Sequence, residues 1–231
     1  MNIWFASGNM HKKAELAAIL GAALGEEDWE LKIPSDAGLE FNPDETEMTF
    51  HGNALLKARE LHSLLNARLH QKAPSPLFKP DDLIIADDSG ICVDALNGRP
   101  GIFSARYTGN RNGDTNKCPL TSSERNVLLL EEIGDNPLRT ARFVCSMVLL
   151  CSPDRFFAAQ ETLEGEIVKG PQFAKGTGGF GYDPILYIPA FNRTVAELSE
   201  DEKNAVSHRG KAGNIIAKII ASIKICFQNQ T

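Results

Sequence analysis

The sequence lacks the cysteine and histidine spacings that mark disulfide frameworks and zinc sites. Its five cysteines are an odd number, form no CxxC pair and lie mostly within apolar runs, as reduced core cysteines do. Its five histidines show no HExxH or comparable ligand spacing, which histidine metal sites require. The pattern therefore predicts reduced thiols and gives no sign of a histidine-based metal centre.

Long apolar runs are also missing. The longest, IIAKIIASIKICF near the C-terminus, is interrupted by lysines and is too short to cross a bilayer. The first residues show no cationic segment followed by an apolar one, so we predict no secretory signal. A net charge of −6 argues against a general affinity for nucleic acid or an anionic membrane. We expect a cytoplasmic protein with neither of these partners.

Strand-like and helix-like patterns alternate along the 231 residues. Short apolar runs predict strands at residues 3–6, 29–33, 83–86, 91–96, 141–151, 156–162 and 185–188. Periodic segments predict helices at residues 10–24 and 50–70. Capping boxes at Thr121/Glu124 and Ser199/Glu202 predict two more helical regions, the second running to about residue 227 with a break at Ser207. This order favours an α/β domain with a mixed sheet, in which residues 141–151 form a central strand.

A glycine turn joins the first strand to the first helix. The segment SGNMHK does not match the Walker pattern G-x-x-x-x-G-K-[ST]. Gly8 would still let backbone N–H groups approach an anion, the helix N-terminus would add positive potential, and Lys12 would add a point charge. The alternative is an ordinary strand-to-helix turn with surface lysines.

Two adjacent carboxylates, Asp87 and Asp88, end the apolar run LIIA. Neighbouring side chains on a strand point to opposite faces, so one would support the fold while the other faces a site. Ligands of α/β proteins bind beyond strand ends, and Mg²⁺ binds through one or two carboxylates plus substrate phosphates. The alternative is a loop start in which Asp88 or Ser89 caps a turn.

Two further segments have residues suited to binding a ligand. In GTGGFGYDP, four glycines surround Phe180 and Tyr182, and a flat base could stack on such rings at roughly 1–3 kcal/mol per stack. In EKNAVSHRGKA, Lys203, His208 and Arg209 are donors suited to a carbonyl oxygen or a phosphate. The alternatives are a loop whose aromatics pack into the core and a solvated basic helix face.

Taken together, these segments resemble the inosine/xanthosine triphosphate pyrophosphatases, enzymes that remove non-canonical purine nucleotides. The resemblance covers nearly the whole chain, in the order SGNMHKKAEL, ETEMTFHGNALLKA, ADDSGICVDALNGRPGIFSARY, GTGGFGYDPI and AELSEDEKNAVSHRGKA. It implies one α/β domain over residues 1–231, with an elongated mixed sheet flanked by helices and two lobes around a central cleft. It also implies hydrolysis of ITP, dITP and XTP to the monophosphate and pyrophosphate, a requirement for Mg²⁺, and a homodimer.

The resemblance assigns the phosphate and metal roles first. The triphosphate would be held by Ser7, Gly8, Asn9 and Lys12, and Lys12 would also be catalytic. Glu45 and Asp88 would hold Mg²⁺, and Asp88 would be the general base for the attacking water. Asp87 is a further candidate for metal or water positioning. Ser89 would contact the substrate.

The remaining roles concern the purine. Phe180 and Tyr182 would sandwich or line the base, with Gly181 and Asp183 beside them. Phosphate and base would also be bound by Lys203, His208 and Arg209. Hypoxanthine and xanthine carry an acceptor oxygen at C6 where adenine carries an amino donor, so donors on His208 and Arg209 would favour them. A site with buried donors rejects the wrong partner by up to roughly 10⁴–10⁵.

Two residues depart from the family pattern F-x-E-N-A-x-x-K-A and the segment before it. Gly52 stands where the pattern has glutamate, and Glu47 stands where a glycine is usual, so Glu47 could supply a compensating carboxylate. The loop at residues 73–80 looks longer than is typical. Two rival functions remain open at this point: a pyrophosphatase for modified pyrimidine nucleotides, and a nucleotide sensor that does not hydrolyse its ligand.

Overall fold

The computed structural model of the chain describes residues 1–25, 29–69, 78–79, 81–109 and 120–228. Within these ranges it contains five α-helices and one sheet of seven strands. The strands are β1 Asn2–Phe5, β2 Glu30–Lys32, β3 Leu83–Val93, β4 Thr140–Ser152, β5 Arg155–Ile167, β6 Leu186–Ile188 and β7 Arg193–Thr194. The helices are α1 Met10–Leu24, α2 Phe50–Leu69, α3 Ser122–Ile133, α4 Glu200–Val206 and α5 His208–Gln228.

The sheet is open and mixed, with strand order β2-β1-β3-β4-β5-β6-β7. Strand β1 pairs in parallel with both β2 and β3. Only two residues join the neighbouring strands β4 and β5, so these strands run antiparallel, and β6 is antiparallel to both β5 and β7. The expected mixed α/β sheet is confirmed, and so is the central place of β4 among the seven described strands.

Helix boundaries follow the capping residues that the sequence shows. Asn9 caps α1, since its side chain accepts hydrogen bonds from the backbone N–H groups of His11 and Lys12. The boxes Thr121/Glu124 and Ser199/Glu202 cap α3 and α4 through reciprocal bonds. At Ser207 the chain leaves α4 before α5 begins. The predicted helix over residues 10–24 and the predicted break at Ser207 are both confirmed.

One strand prediction is wrong. The sequence suggested two strands, 83–86 and 91–96, separated by the polar residues of DDSG. The structure instead has a single strand, β3, over Leu83–Val93. Asp87 and Asp88 therefore lie in the middle of a strand and not after its end. The strand continues because both carboxylates are matched by cationic side chains, as described below, so no turn to solvent is needed.

The chain divides into two compact units. Unit 1 comprises Met1–Asp88, Cys145–Glu161 and Arg209–Thr231, and unit 2 comprises Ser89–Val144 and Thr162–His208. In unit 1, buried side chains form one cluster that includes Phe5, Leu16 and Ile216 and a second that includes Trp4, Ala58 and Leu61. Unit 2 has its own cluster, which contains Tyr107, Leu129 and Tyr182 among others. Each unit thus buries its own apolar core.

Three smaller expectations can be compared with the described residues. Cys92, Cys145 and Cys151 are free thiols, as predicted, whereas Cys118 lies outside the described residues. No described helix is long and apolar enough to cross a membrane. Of the unusually long loop predicted at residues 73–80, all but residues 78 and 79 lie outside the described residues.

Candidate active site

The glycine turn of unit 1 is an ordered, open helix start. The Ser7 hydroxyl accepts the backbone N–H of Asn9 at 3.1 Å, and Asn9 caps the helix at 3.0 and 3.2 Å. Gly8 and Asn9 are exposed, and a Cβ built on Gly8 would meet no atom within 4 Å. The space above Gly8 is therefore free for a ligand at the positive end of a 15-residue helix.

Asp87 is the centre of a buried ionic network. Lys12 Nζ lies 3.0 and 3.1 Å from its two carboxylate oxygens. Arg209 donates to the same carboxylate through Nε at 3.3 Å and Nη2 at 3.1 Å. Burial by itself would raise the pKa of Asp87, but Lys12 and then Arg209 outweigh it and hold that pKa well below its usual range. Asp87 therefore stays ionised and fixes two cations.

Arg209 is a buried member of the same ionic network. It is 1% exposed, and its third guanidinium nitrogen, Nη1, donates to Glu15 at 2.7 Å. All three nitrogens thus bond to carboxylates, and burial of the group is offset by Asp87 and Glu15, so its pKa is raised. These bonds hold the guanidinium against Asp87 and Glu15, and base reading by Arg209 stays a prediction.

Asp88 has a different environment from its neighbour. Asn53 Nδ2 donates to it at 3.0 Å, and Lys57 Nζ lies 3.5 Å away. Burial raises the pKa of Asp88 above its usual value, against the opposing influence of Lys57 and of the Asn53 hydrogen bond. The pKa values of the two adjacent aspartates are therefore shifted in opposite directions. Such opposite shifts recur in paired carboxylates that have separate acid–base roles.

The ammonium of Lys57 occupies a position between two carboxylates, Glu45 and Asp88, that can hold a cation. It lies 2.9 Å from Glu45 and 3.5 Å from Asp88. Burial lowers its pKa, but Asp88, then Asp87 and Glu45, outweigh this and raise it. Two carboxylates that face one positive charge are the protein donor set that Mg²⁺ uses with substrate phosphates. Glu45 and Asp88 therefore fit the expected metal. Asp87 is already matched by two cations, and its part in metal or water positioning stays a prediction.

No larger acidic cluster was found. Among the described residues, no group of three or more His, Cys, Asp or Glu side chains is placed to hold a metal ion. That Glu47 supplies a compensating carboxylate stays a prediction.

The glycine-rich loop of unit 2 is shaped by close packing around Asp183. This carboxylate, 4% exposed, accepts the N–H of Phe180 at 2.9 Å and the ammonium of Lys203 at 2.9 Å. Gly179 has φ +71°, and a Cβ there would lie 2.0 Å from the Asp183 carboxylate. At Gly176, with φ +80°, a Cβ would lie 2.4 Å from the backbone of Ala196. Neither position accepts a side chain.

Phe180 presents a ring next to a fixed cation. Lys203 Nζ lies 5.1 Å from the ring centroid, within the range of a cation–π contact. The ring also borders a cavity of about 440 Å³, with α3 residues such as Asn126 on another side. Asn126 holds the loop in place, since its Nδ2 donates to the carbonyl of Gly181 at 3.1 Å. Phe180 is therefore a half-buried ring on a well-supported loop.

Tyr182 and His208 lie deeper than the sequence suggested. Tyr182 is 4% exposed, belongs to the apolar core of unit 2, and donates its hydroxyl hydrogen to the carbonyl of Ser104 at 2.8 Å. Most of its surface is thus buried, and its predicted place beside the base stays a prediction. His208, 6% exposed, stacks on Phe143 at 4.9 Å and 18°. Ser89, next to Asp88 in β3, is half-buried.

Sequence reasoning missed three residues of the unit 1 site. Asn53 and Lys57 contact Asp88, and Glu15 contacts Arg209. Asn53 and Lys57 are four residues apart on α2, so both project from one helix face, and Glu15 follows Lys12 by three residues on α1. This spacing was visible in the sequence, but nothing in it indicated which helix face meets the aspartates.

Comparison with known proteins agrees with this architecture. A sequence model of the Ham1 family matches residues 3–219, and the chain belongs to this family. It is 42% identical over 221 residues to a protein of Treponema denticola named dITP/XTP pyrophosphatase, with 95% of this chain and 98% of that protein covered. The resemblance noted in the sequence is therefore confirmed at the level of the family.

Two solved structures are similar over almost the whole chain. The Ham1 protein of Staphylococcus aureus has a TM-score of 0.74 and the HAM1 protein of Coxiella burnetii one of 0.75. Each is 32% identical, with 96% of this chain and 99% of the other covered. The mixed α/β fold of the chain is thus the fold of its family.

Proposed function

We propose that this protein hydrolyses non-canonical purine nucleoside triphosphates, namely ITP, dITP and XTP, to the monophosphate and pyrophosphate. Full-length similarity to a protein named dITP/XTP pyrophosphatase supports this proposal. The structural observation that carries it is the aspartate pair on β3, each member matched to its own lysine: Asp87 to Lys12 and Asp88 to Lys57. Such a site combines fixed cations for phosphates with a carboxylate whose pKa is raised.

In the proposed reaction, the turn at Ser7–Asn9 and the first turn of α1 bind triphosphate oxygens, with Lys12 as the charged donor. Asp87, itself held by Arg209, keeps Lys12 in place, since the ammonium contacts both oxygens of Asp87. Asp88 accepts a proton from the attacking water, and the bond between the α- and β-phosphates breaks. A carboxylate with a raised pKa is a stronger base than an ordinary one.

The metal would be held by Glu45 and Asp88, the two carboxylates that face Lys57. When bound, Mg²⁺ neutralises phosphate charge and lowers the pKa of bound water. Lys57 would then pair with substrate phosphate oxygens as its carboxylate partners take on this second role. Asn53 keeps Asp88 oriented throughout through its hydrogen bond.

Unit 2 would recognise the base. Phe180 provides a ring for stacking, and its position is fixed by Lys203, Asp183 and the hydrogen bond from Asn126 to Gly181. Lys203 is the cationic donor beside that ring, so we assign it to the C6 oxygen of hypoxanthine or xanthine, with His208 as a second candidate donor. Adenine carries an amino donor at C6 and would leave these donors unmatched.

A substrate panel tests the proposal. Purified protein with Mg²⁺ should release pyrophosphate from ITP, dITP and XTP much faster than from ATP, GTP, dTTP or UTP, and excess chelator should stop the reaction. Preference for a pyrimidine triphosphate would replace the purine function with the first rival. Tight binding of ITP without formation of IMP would identify a sensor instead.

We also propose a homodimer located in the cytoplasm, as the family resemblance implies. Light scattering on the eluted protein should give twice the chain mass of 25.2 kDa. A mass equal to one chain at micromolar concentration would contradict the dimer without affecting the proposed reaction.

A further inference from the structure

Gly52 is a helical glycine whose missing side chain makes room for another residue. A Cβ built on Gly52 would lie 2.7 Å from Cβ of Glu47, 3.0 Å from its Cγ and 3.1 Å from its Oε2. The side chain of Glu47 thus lies directly over the backbone of α2 at its third residue. Glycine costs a helix about 1 kcal/mol relative to alanine, so the fit of Glu47 gives a reason for its presence here.

Glu47 is also connected to Asp88 through one buried amide. The backbone N–H of Glu47 donates to Oδ1 of Asn53 at 3.0 Å, and Nδ2 of Asn53 donates to Asp88 at 3.0 Å. Asn53 is fully buried, and its own N–H bonds to the carbonyl of Thr49 at 3.1 Å. A donor on one side and a carboxylate on the other leave only one orientation for this amide.

The start of α2 is therefore tied to the loop that precedes it. Gly52 donates its N–H to the hydroxyl of Thr49 at 3.0 Å, and the Glu47 side chain packs over the same glycine. These contacts set the distance between the Glu47 N–H and Asn53. Any side chain at residue 52 would push Glu47 away and lengthen the bond that orients the amide.

We propose that Glu47 and Gly52 form a coupled pair of positioning residues for Asp88, acting through Asn53. The pair works by shape: the glutamate occupies the volume above the glycine, and its backbone N–H fixes the amide that holds the carboxylate. The effect on turnover rests on the proposed function, in which Asp88 is the general base. The effect on the orientation of the Asn53 amide is independent of the proposed function.

The closest contact lies between the Cβ added at residue 52 and the Cβ of Glu47. Substitutions that add the first or remove the second therefore test the proposal. Gly52→Ala should lower kcat for ITP about tenfold, an ordinary coupling between touching residues, with KM changed less than twofold. Glu47→Gly, which removes the opposing Cβ, should return kcat of the Gly52→Ala protein to that of Glu47→Gly alone. Glu47→Ala keeps that Cβ and should fail to rescue.

Two other helical glycines of unit 1 provide controls. A Cβ on Gly21 meets nothing within 4 Å, so Gly21→Ala should leave kcat unchanged. A Cβ on Gly213 would lie 2.9 Å from Cγ2 of Ile19, so Gly213→Ala should lower the unfolding midpoint without the drop in kcat. These variants separate positioning of Asp88 from a general loss of stability.

The side-chain NH₂ signals of Asn53 in the NMR spectrum provide a readout that does not depend on activity. They should shift and exchange faster with solvent in Gly52→Ala, and return in the double variant with Glu47→Gly but not with Glu47→Ala. Unmoved signals together with wild-type kcat in Gly52→Ala would overturn the proposal. Signals that follow the cycle while kcat stays constant would support the coupling and refute Asp88 as the base.

Discussion

The two units place their polar groups in opposite ways. Unit 1 gathers charges: three cations, Lys12, Lys57 and Arg209, are matched by carboxylates in a largely buried network. Unit 2 has a buried ion pair between Lys203 and Asp183, which lies beside a ring and a row of glycines. Unit 1 is thus suited to hold a highly charged group, and unit 2 to position a flat, weakly polar one.

The largest effect on the proposed chemistry of unit 1 should come from removing the proposed general base. Asp88→Asn should lower turnover of ITP by about 10²–10⁴-fold, the usual contribution of a general base, and by more if the metal is lost too. Pyrophosphate release measures this, and the unfolding midpoint should stay near that of the wild type because the amide is of equal size. Turnover within a few-fold of normal would remove Asp88 from the mechanism.

Substitution of Arg209 tests whether this residue mainly stabilises the charged network or selects the base. Arg209→Met leaves Asp87 buried with one partner fewer, so the free energy of unfolding should fall by about 3–5 kcal/mol. The ITP/ATP ratio of kcat/KM should remain within about threefold of the wild type, because Asp87 and Glu15 already hold the guanidinium.

Two further variants serve as comparisons for Arg209→Met. Glu15→Gln removes charge from the half-buried end of the network and should cost only about 1 kcal/mol. The double variant Arg209→Met with Asp87→Asn should recover part of the lost stability, since the buried charge has gone. A selective fall in the use of ITP by Arg209→Met would support base reading as the role of Arg209.

For unit 2, the ring is the feature to change. Phe180→Ala should raise KM for ITP by roughly 5–150-fold, corresponding to the loss of one stack at 1–3 kcal/mol, with a smaller effect on kcat. Phe173 is a matched control: it lies in the same unit, is 48% exposed, and Phe173→Ala should leave KM unchanged. Equal effects of the two substitutions would argue against stacking on Phe180.

The smallest expected effect concerns acid stability. The pKa of Asp87 is lowered in the folded protein, so its stabilisation is fully present above its unfolded value of about 4 and is lost as pH falls toward the folded value. Urea unfolding between pH 6 and 3 should show the advantage of the wild type over the Arg209→Met/Asp87→Asn protein shrinking only below about pH 4, by at most about 1.4 kcal/mol per pH unit. An advantage that grows on acidification would contradict the network.

Much of the fold could be predicted because its signals are local. The bounds of α1, the capping residues of α3 and α4 and the break at Ser207 depend on side chains that bond to the backbone within a few residues. The aspartate pair was also visible, since two carboxylates after an apolar run are unusual.

What the sequence could not supply were partners distant along the chain. Arg209 meets Asp87 across 122 residues, and nothing near residue 209 distinguishes a cation that binds a carboxylate from one that binds a base. The continuity of β3 through DDSG depends on the same ion pairs. The burial of Tyr182 likewise depends on a core assembled from several strands and helices, which no pattern near residue 182 indicates.

The glycines that surround Asp183 limit how the protein can be redesigned. A library that randomises the whole GTGGFG segment would consist largely of misfolded members, because Gly176 and Gly179 tolerate no β-carbon. Engineering a new nucleotide preference would therefore succeed sooner by keeping these two positions invariant and varying Phe180 and the cavity wall contributed by α3.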